Sequence, residues 1–196
     1  APDLKIIAAW RDPKWTMDSR ESEIEYCRAH GINLPFSADN SYSRDRNIWH
    51  ISHEGLELED PSCAPNYDHL LVLSNSPEKA PEEDVHLSID WEKGVPVALN
   101  GEKMSQREIL EKLNEIGGQH GIGIIDIVEN RVVGMKSRGV YENPGGAILY
   151  AAHQELEYLC LDRQTLHYKE TVAIKYAELV YDCLLYTSPS PRDLST

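Results

Sequence analysis

Short apolar runs alternate with polar punctuation along this chain, and the spacing within each run predicts its element. Residues 4–10, Leu-Lys-Ile-Ile-Ala-Ala-Trp, are mostly apolar and fit a buried strand. Asp18 and Ser19 then offer helix N-caps, with Glu21 placed for a capping box from Asp18. That helix ends at His30-Gly31, where glycine suits a C-terminal cap, and Ile32-Asn33-Leu34 closes the tail of an α/β unit. Residues 35–65 are polar and aromatic with little periodicity, which predicts a long functional loop. Ile48, Trp49 and Ile51 argue against disorder there.

A strand-rich stretch follows. His69 to Leu73 is one candidate strand, and Val85 to Trp91 alternates Val85, Leu87, Ile89 and Trp91 on one face. Lys93-Gly94 turns the chain into a strand over Val95 to Leu99, which Asn100-Gly101 ends. Ser105-x-x-Glu108 is a capping box for a helix carrying Ile109, Leu110, Leu113 and Ile116, with Gly117-Gly118 as its stop. Ile122 to Val128 reads as another strand, with Val132 to Met135 continuing it. After Pro144-Gly145-Gly146 the pattern is helical to about Asp182, with a break near Arg163. The Pro- and Ser-rich stretch from Thr187 to Thr196 has no core pattern and reads as disordered. These elements predict an α+β fold, a mixed sheet with helices, preceded by one strand and one helix of a neighbouring α/β domain. A chain that opens directly on a strand also implies sequence upstream of it.

Composition removes several function classes. The net charge of −14 lacks the clustered Lys and Arg that nucleic acid or an anionic membrane would need. The four cysteines, Cys27, Cys63, Cys160 and Cys183, form no CxxC pair and read as reduced thiols. No apolar run approaches the roughly 20 residues of a membrane span, and the first residues lack the basic start of a signal peptide. His50-x-x-His53 has no third nearby Cys or His, so it is no metal site, and no nucleophile-elbow motif supports a Ser-His-Asp hydrolase.

Three segments are more specific. They are Ser41-Tyr-Ser43-Arg-Asp-Arg-Asn-Ile-Trp-His-Ile-Ser52 with Glu54-Gly55 and Leu58-Glu-Asp-Pro61; Asp126-Ile-Val-Glu129-Asn-Arg131 with Gly134-Met-Lys-Ser-Arg-Gly-Val-Tyr141-Glu142; and Lys175-Tyr-Ala-Glu-Leu-Val-Tyr181. In order and spacing the chain resembles argininosuccinate synthases over roughly residues 1–182. The resemblance implies an ATP-dependent ligase that joins citrulline to aspartate through a citrullyl-adenylate, releasing AMP and pyrophosphate. It implies a cytoplasmic homotetramer, with ATP and Mg as the nucleotide requirement. By position, Ser43, Ser52, Glu129 and Tyr141 match the family's citrulline-binding residues. Those types suit a zwitterion, since a carboxylate takes the ammonium and hydroxyls serve the carboxylate and ureido oxygens. Read without the family, Glu129 is a strand-end carboxylate, solvated or paired with Arg131, Tyr141 a half-buried aromatic, and the serines loop hydrogen bonders.

The family's glycine-rich phosphate loop and aspartate site have no counterpart in these residues, so the chain alone is expected to be inactive, with no catalytic or cofactor-binding residue assigned. The expected division is 1–31 as the end of the nucleotide-binding α/β domain, 32–182 as the synthetase domain for citrulline binding and multimerisation, and 183–196 as a non-family tail. From Cys183 the match stops, in the way adapter read-through or a frame error would leave it. Ile124 stands where the family often has Arg. Lys136 and Arg138 are candidates for phosphate contact or for structural ion pairs. The rival reading is a non-catalytic binding or assembly module lacking the ATP domain.

Overall fold

Two antiparallel sheets, each backed by its own apolar cluster, organise the computed structural model, which describes residues 5–34, 42–182 and 184. The strands are β1 (Ser43–Arg46), β2 (Ile51–Glu54), β3 (Ile89–Glu92), β4 (Val95–Leu99), β5 (Glu102–Lys103), β6 (Ile124–Asn130) and β7 (Lys136–Glu142). The helices are α1 (Arg20–Ala29), α2 (Tyr67–Leu70), α3 (Gln106–Gln119), α4 (Pro144–Cys160) and α5 (Arg163–Tyr181). The larger sheet has the order β1-β2-β7-β6 and the smaller β3-β4-β5, an α+β arrangement.

The expected strand over residues 4–10 does not form. Leu4 lies outside the described residues, Ala9–Arg11 make a 3-10 turn, and Ile6 and Ile7 are 95% and 85% exposed. A strand needs a partner edge for its backbone groups, and neither sheet pairs with this segment. The following helix forms as α1, capped by Ser19 in a box with Ser22 rather than by Asp18 with Glu21. Part of the expected loop over 35–65 is instead the β1–β2 hairpin followed by a 3-10 turn over Leu56–Glu59, and residues 35–41 lie outside the described residues.

The small sheet follows its turn chemistry. Lys93 and Gly94 have φ of 52° and 78°, and Asn100 and Gly101 51° and 78°, so both hairpin turns take the left-handed conformation that glycine and asparagine tolerate. Of the expected strand over 85–91 only its end forms, as β3, yet Leu87 and Ile89 still pack on Leu99, Ile109 and Leu113. Ser105 and Glu108 close the predicted capping box on α3.

Gly117 and Gly118 do not stop α3; they lie inside it. A Cβ on Gly117 would fall 2.9 Å from Ile148 Cδ1, and one on Gly118 2.2 Å from the Leu73 carbonyl oxygen. The pair admits helix α4 on one side and the 73–75 backbone on the other. Val132 to Met135 is likewise no strand but the exposed tip of the β6–β7 hairpin, and β7 forms over Lys136–Glu142, where the apolar pattern marks no strand. His69 to Leu73 is not a strand either: α2 covers 67–70, and the backbone after it bonds to Glu142. The break near Arg163 falls at Asp162, whose Oδ1 accepts the amides of Gln164 and Thr165 at 2.9 and 3.1 Å and starts α5. No residue of α5 is buried. No described helix is long and apolar enough to cross a membrane.

Candidate functional site

Side chains in a strand alternate between faces, and residues paired across strands share a face. The register pairs Ser43 with Glu54, Asp45 with Ser52, Ser52 with Tyr141, Tyr141 with Ile125, and Ser137 with Glu129. Ser43, Ser52, Glu129 and Tyr141, drawn from four strands and nearly 100 residues of chain, therefore all stand on one face of the larger sheet. The opposite face packs on Tyr42, Leu58 and Leu70 through Val140 and Ile124.

Two of the four touch directly: the Tyr141 hydroxyl donates to Glu129 Oε1. The ring reaches that far along the sheet because residue 139 is glycine; a Cβ there would lie 3.1 Å from Tyr141 Cε2. Burial, the bond to Glu129 and the charges of Glu129 and Glu54 all push the Tyr141 phenol well above its ordinary range, so it remains a protonated donor. Ser52 is buried and its Oγ accepts the Asp45 amide at 3.3 Å. Ser43 is exposed at the outer edge of the same face and touches none of the other three.

Arg131 does not pair with Glu129. Its Nη2 donates to both oxygens of Glu54, at 3.0 and 2.9 Å, and to Ser137 Oγ at 3.0 Å. That leaves Glu129 bonded to a neutral hydroxyl, with its charge available to a cation. The His50 ring lies 5.9 Å from that of Tyr141 and extends the polar face, with Nδ1 on the Asn47 amide at 3.3 Å.

Directly beneath lies a second set of polar groups, two of them sealed from solvent. His53 and Glu142 are both 0% exposed, with Nε2 and Oε1 2.7 Å apart. Arg44 Nε donates to His53 Nδ1 at 3.0 Å. Glu142 also accepts the amides of Val72, Leu73 and Ser74 at 2.9, 2.8 and 2.7 Å. Burial pulls the Glu142 carboxyl upward, but the His53 bond and these amides outweigh it and hold it below its ordinary range. His53, with both ring nitrogens engaged, is thus not half of a His50–His53 metal pair, and among the described residues no group of three or more His, Cys, Asp or Glu could hold a metal ion.

Arg138 is a structural ion pair, not a free phosphate ligand. It forks onto Asp126 at 2.9 and 2.8 Å and donates to the Cys63 carbonyl at 2.7 Å, with its side chain 12% exposed. Lys136 bonds the Asn130 side chain. Nor does the glycine-rich start of α4 fit a phosphate. The Gly145 amide donates to Asn114 Oδ1 at 2.9 Å, and the Trp49 ring crowds Gly146. Arg138, Lys136 and the first turn of α4 are thus already engaged within the chain.

The family described as "Arginosuccinate synthase C-terminal domain" matches residues 42–196. This chain belongs to the argininosuccinate synthase family. It is 65% identical over 187 residues to the argininosuccinate synthase of Agathobacter rectalis, an alignment covering 95% of this chain and 46% of that protein. The corresponding protein of Lachnoclostridium phytofermentans is 68% identical over 188 residues, again 95% and 46%. That of Lachnospira eligens is 65% identical over 182 residues, 93% and 45%. The chain thus spans about half the length of the curated relatives it matches. The argininosuccinate synthase match begins at Tyr42, one residue before β1, and extends through the tail that the sequence reading separates at Cys183. Cys183 and residues 185–196 lie outside the described residues.

The groups missed by sequence reasoning are Arg44, His53, Glu142 and Gly139. The first three lie in strands too polar to register as half-buried. Gly139 carried a usable signal, a glycine within a strand, which marks a close approach by something else.

Proposed function

We propose that this chain is the citrulline-binding part of an argininosuccinate synthase. The observation that carries the reading is that all four family-matched residues share one sheet face. Glu129 takes the substrate ammonium, and Tyr141 and the serine hydroxyls donate to its carboxylate and ureido oxygens. In the whole enzyme the ureido oxygen attacks the α-phosphate of ATP, supplied with Mg as the second substrate, and releases pyrophosphate. The aspartate amine then displaces AMP from the citrullyl-adenylate. With Arg138 and the start of α4 engaged within the chain, nucleotide and aspartate binding are assigned to the part of the enzyme that the relatives carry beyond this match. Residues 1–31 go with the nucleotide-binding domain, and 32–182 form the synthetase domain of a cytoplasmic homotetramer.

Helix α5, none of whose residues is buried, favours assembly as a second duty of the same chain. The test grafts this chain in place of its counterpart in the 65%-identical relative. Glu129→Gln then raises the citrulline KM by about tenfold to a hundredfold, the range of a lost charged hydrogen bond. The KM for ATP stays unchanged. An unaltered citrulline KM and kcat would remove Glu129 from the site.

A further inference from the structure

We propose that Arg44, His53 and Glu142 form a positioning chain, buried at His53 and Glu142, that sets the spacing of the site hydroxyls above it. The inference rests on the citrulline reading of that face. Each of the three directly follows a site residue in sequence: Ser43-Arg44, Ser52-His53 and Tyr141-Glu142. Because side chains alternate across a sheet, the site residues stand above and their neighbours hang below. Arg44 is on β1, His53 on β2 and Glu142 on β7, the three strands that carry Ser43, Ser52 and Tyr141. The two bonds Arg44–His53 and His53–Glu142 thus tie those strands together side to side, beneath the hydroxyls.

The protonation of this chain follows from its donors. Arginine has only N–H groups to offer, so His53 Nδ1 must accept from Arg44. The ring proton then sits on Nε2 and is donated to Glu142 Oε1. Glu142 is saturated: Oε1 receives His53 and the Val72 amide, and Oε2 the Leu73 and Ser74 amides. Arg44 is braced in turn by the Tyr42 ring, 5.1 Å from its guanidinium carbon, and by the carbonyls of His69 and Leu70, each 3.4 Å from Nη2. A polar network whose buried members, here His53 and Glu142, have their bonds satisfied holds one geometry, whereas a partly satisfied one does not. Ordinary strand packing would have been served by three apolar residues, so a charged chain running under the site residues marks a demand for fixed lateral spacing.

Two experiments test this. The first records imidazole nitrogen spectra of the chain as given. His53 should show an unprotonated Nδ1 and a protonated Nε2, and a proton on Nδ1 overturns the proposal. The second uses the grafted synthase with His53→Phe, which keeps the ring but removes both bonds, and His53→Gln, whose amide retains a donor toward Glu142. His53→Phe should raise the citrulline KM about tenfold, the scale of lost bonds to charged groups, without moving the KM for ATP. His53→Gln should recover part of that loss. An unchanged citrulline KM in His53→Phe, or equal rises in both KM values, overturns the proposal. Should His53→Phe not fold, His53→Gln decides by the same split of KM values. Glu129→Gln is the control: if it alters citrulline KM and the His53 variants do not, only the positioning chain fails. If Glu129→Gln also has no effect, the citrulline reading fails and takes the chain with it.

Discussion

Gly118→Ala tests how tightly the scaffold beneath the site is locked. Alanine is the better helix former, and in an open helix position the change would add about 1 kcal/mol of stability. Here the new Cβ would lie 2.2 Å from the Leu73 carbonyl oxygen and 3.2 Å from its carbon. A close C···O approach is about 3.3 Å, so something must move by roughly 1 Å. The obstacle is backbone, and it is held from behind: the Leu73 and Ser74 amides donate to buried Glu142 at 2.8 and 2.7 Å. It is also held from in front, by Asn75 N to Gly118 O at 2.8 Å and Asn75 Nδ2 to Gln119 O at 2.9 Å. Moving the loop stretches bonds to a charged group, worth about 1.5–3 kcal/mol, and moving the helix strains its packing on α4, where overpacking costs about 1–3 kcal/mol. With loop and helix each yielding in part, the two costs less the helix-propensity gain leave a net loss of about 1.5–5 kcal/mol. For a chain of this size that lowers Tm by roughly 3–20 °C, measurable by circular dichroism or calorimetry. A Tm equal to or above that of the unsubstituted chain would show that the 73–75 segment is free to retreat, and that Glu142 does not anchor it.

Glu142→Gln should leave two of four buried donors facing an amide instead of a carboxylate oxygen, at about 1–3 kcal/mol each, seen as a lower urea midpoint at neutral pH. Because the folded-state carboxyl is held below its ordinary range, its stabilisation is present above that range and is lost as pH falls through the depressed value. The acid limb of the stability curve should therefore be flatter in Glu142→Gln, and an equally steep limb below about pH 4 would contradict this. Gly139→Ala should push the Tyr141 ring away from Glu129 by a few tenths of an ångström, since the new Cβ meets Cε2 at 3.1 Å. With that bond weakened, the Tyr141 ring carbon resonances should titrate at lower pH than in the unsubstituted chain, and an unchanged titration would show that the ring has room. Helix α5 leaves Tyr168, Val172, Ile174, Tyr176 and Val180 exposed, more apolar surface than a monomer usually presents. Light scattering over a dilution series at physiological salt should report association, and a monomer mass at every concentration would refute it.

Which elements were legible in the sequence depended on whether local chemistry alone decided them. The Lys93-Gly94 and Asn100-Gly101 turns, the Ser105–Glu108 box and strand β4 appear where their local signals place them, because turn and cap geometry is set by adjacent residues. Strand β7 did not, because its side chains serve polar partners on both faces. Lys136-Ser-Arg-Gly-Val-Tyr-Glu142 places Ser137, Gly139 and Tyr141 on the site face, while Arg138 and Glu142 on the opposite face hold ion-paired or hydrogen-bonded partners. Neither face carries the apolar alternation that marks a half-buried strand. The run over residues 4–10 failed in the opposite sense: its apolar pattern is strong, but a strand is a pairing, and no described edge receives it.

The same reasoning bears on Gly117-Gly118. Read locally, two glycines after an apolar stripe end a helix. In the structure α3 continues to Gln119, because the partners that make glycine necessary, Ile148 and Leu73, lie 31 and 45 residues away along the chain. The four residues of the candidate site were legible only as a motif resemblance, since nothing local distinguishes Ser43 from any loop serine. What folding adds is independent of that resemblance: pleat and register alone bring Ser43, Ser52, Glu129 and Tyr141 to one face. A one-residue slip of β2 against β7 would turn Ser52 under the sheet and raise His53 into the site. The His53–Glu142 bond opposes that slip, because it would remove His53 from the buried side where Glu142 waits. The polar chain under the sheet thus guards the register on which the whole face depends.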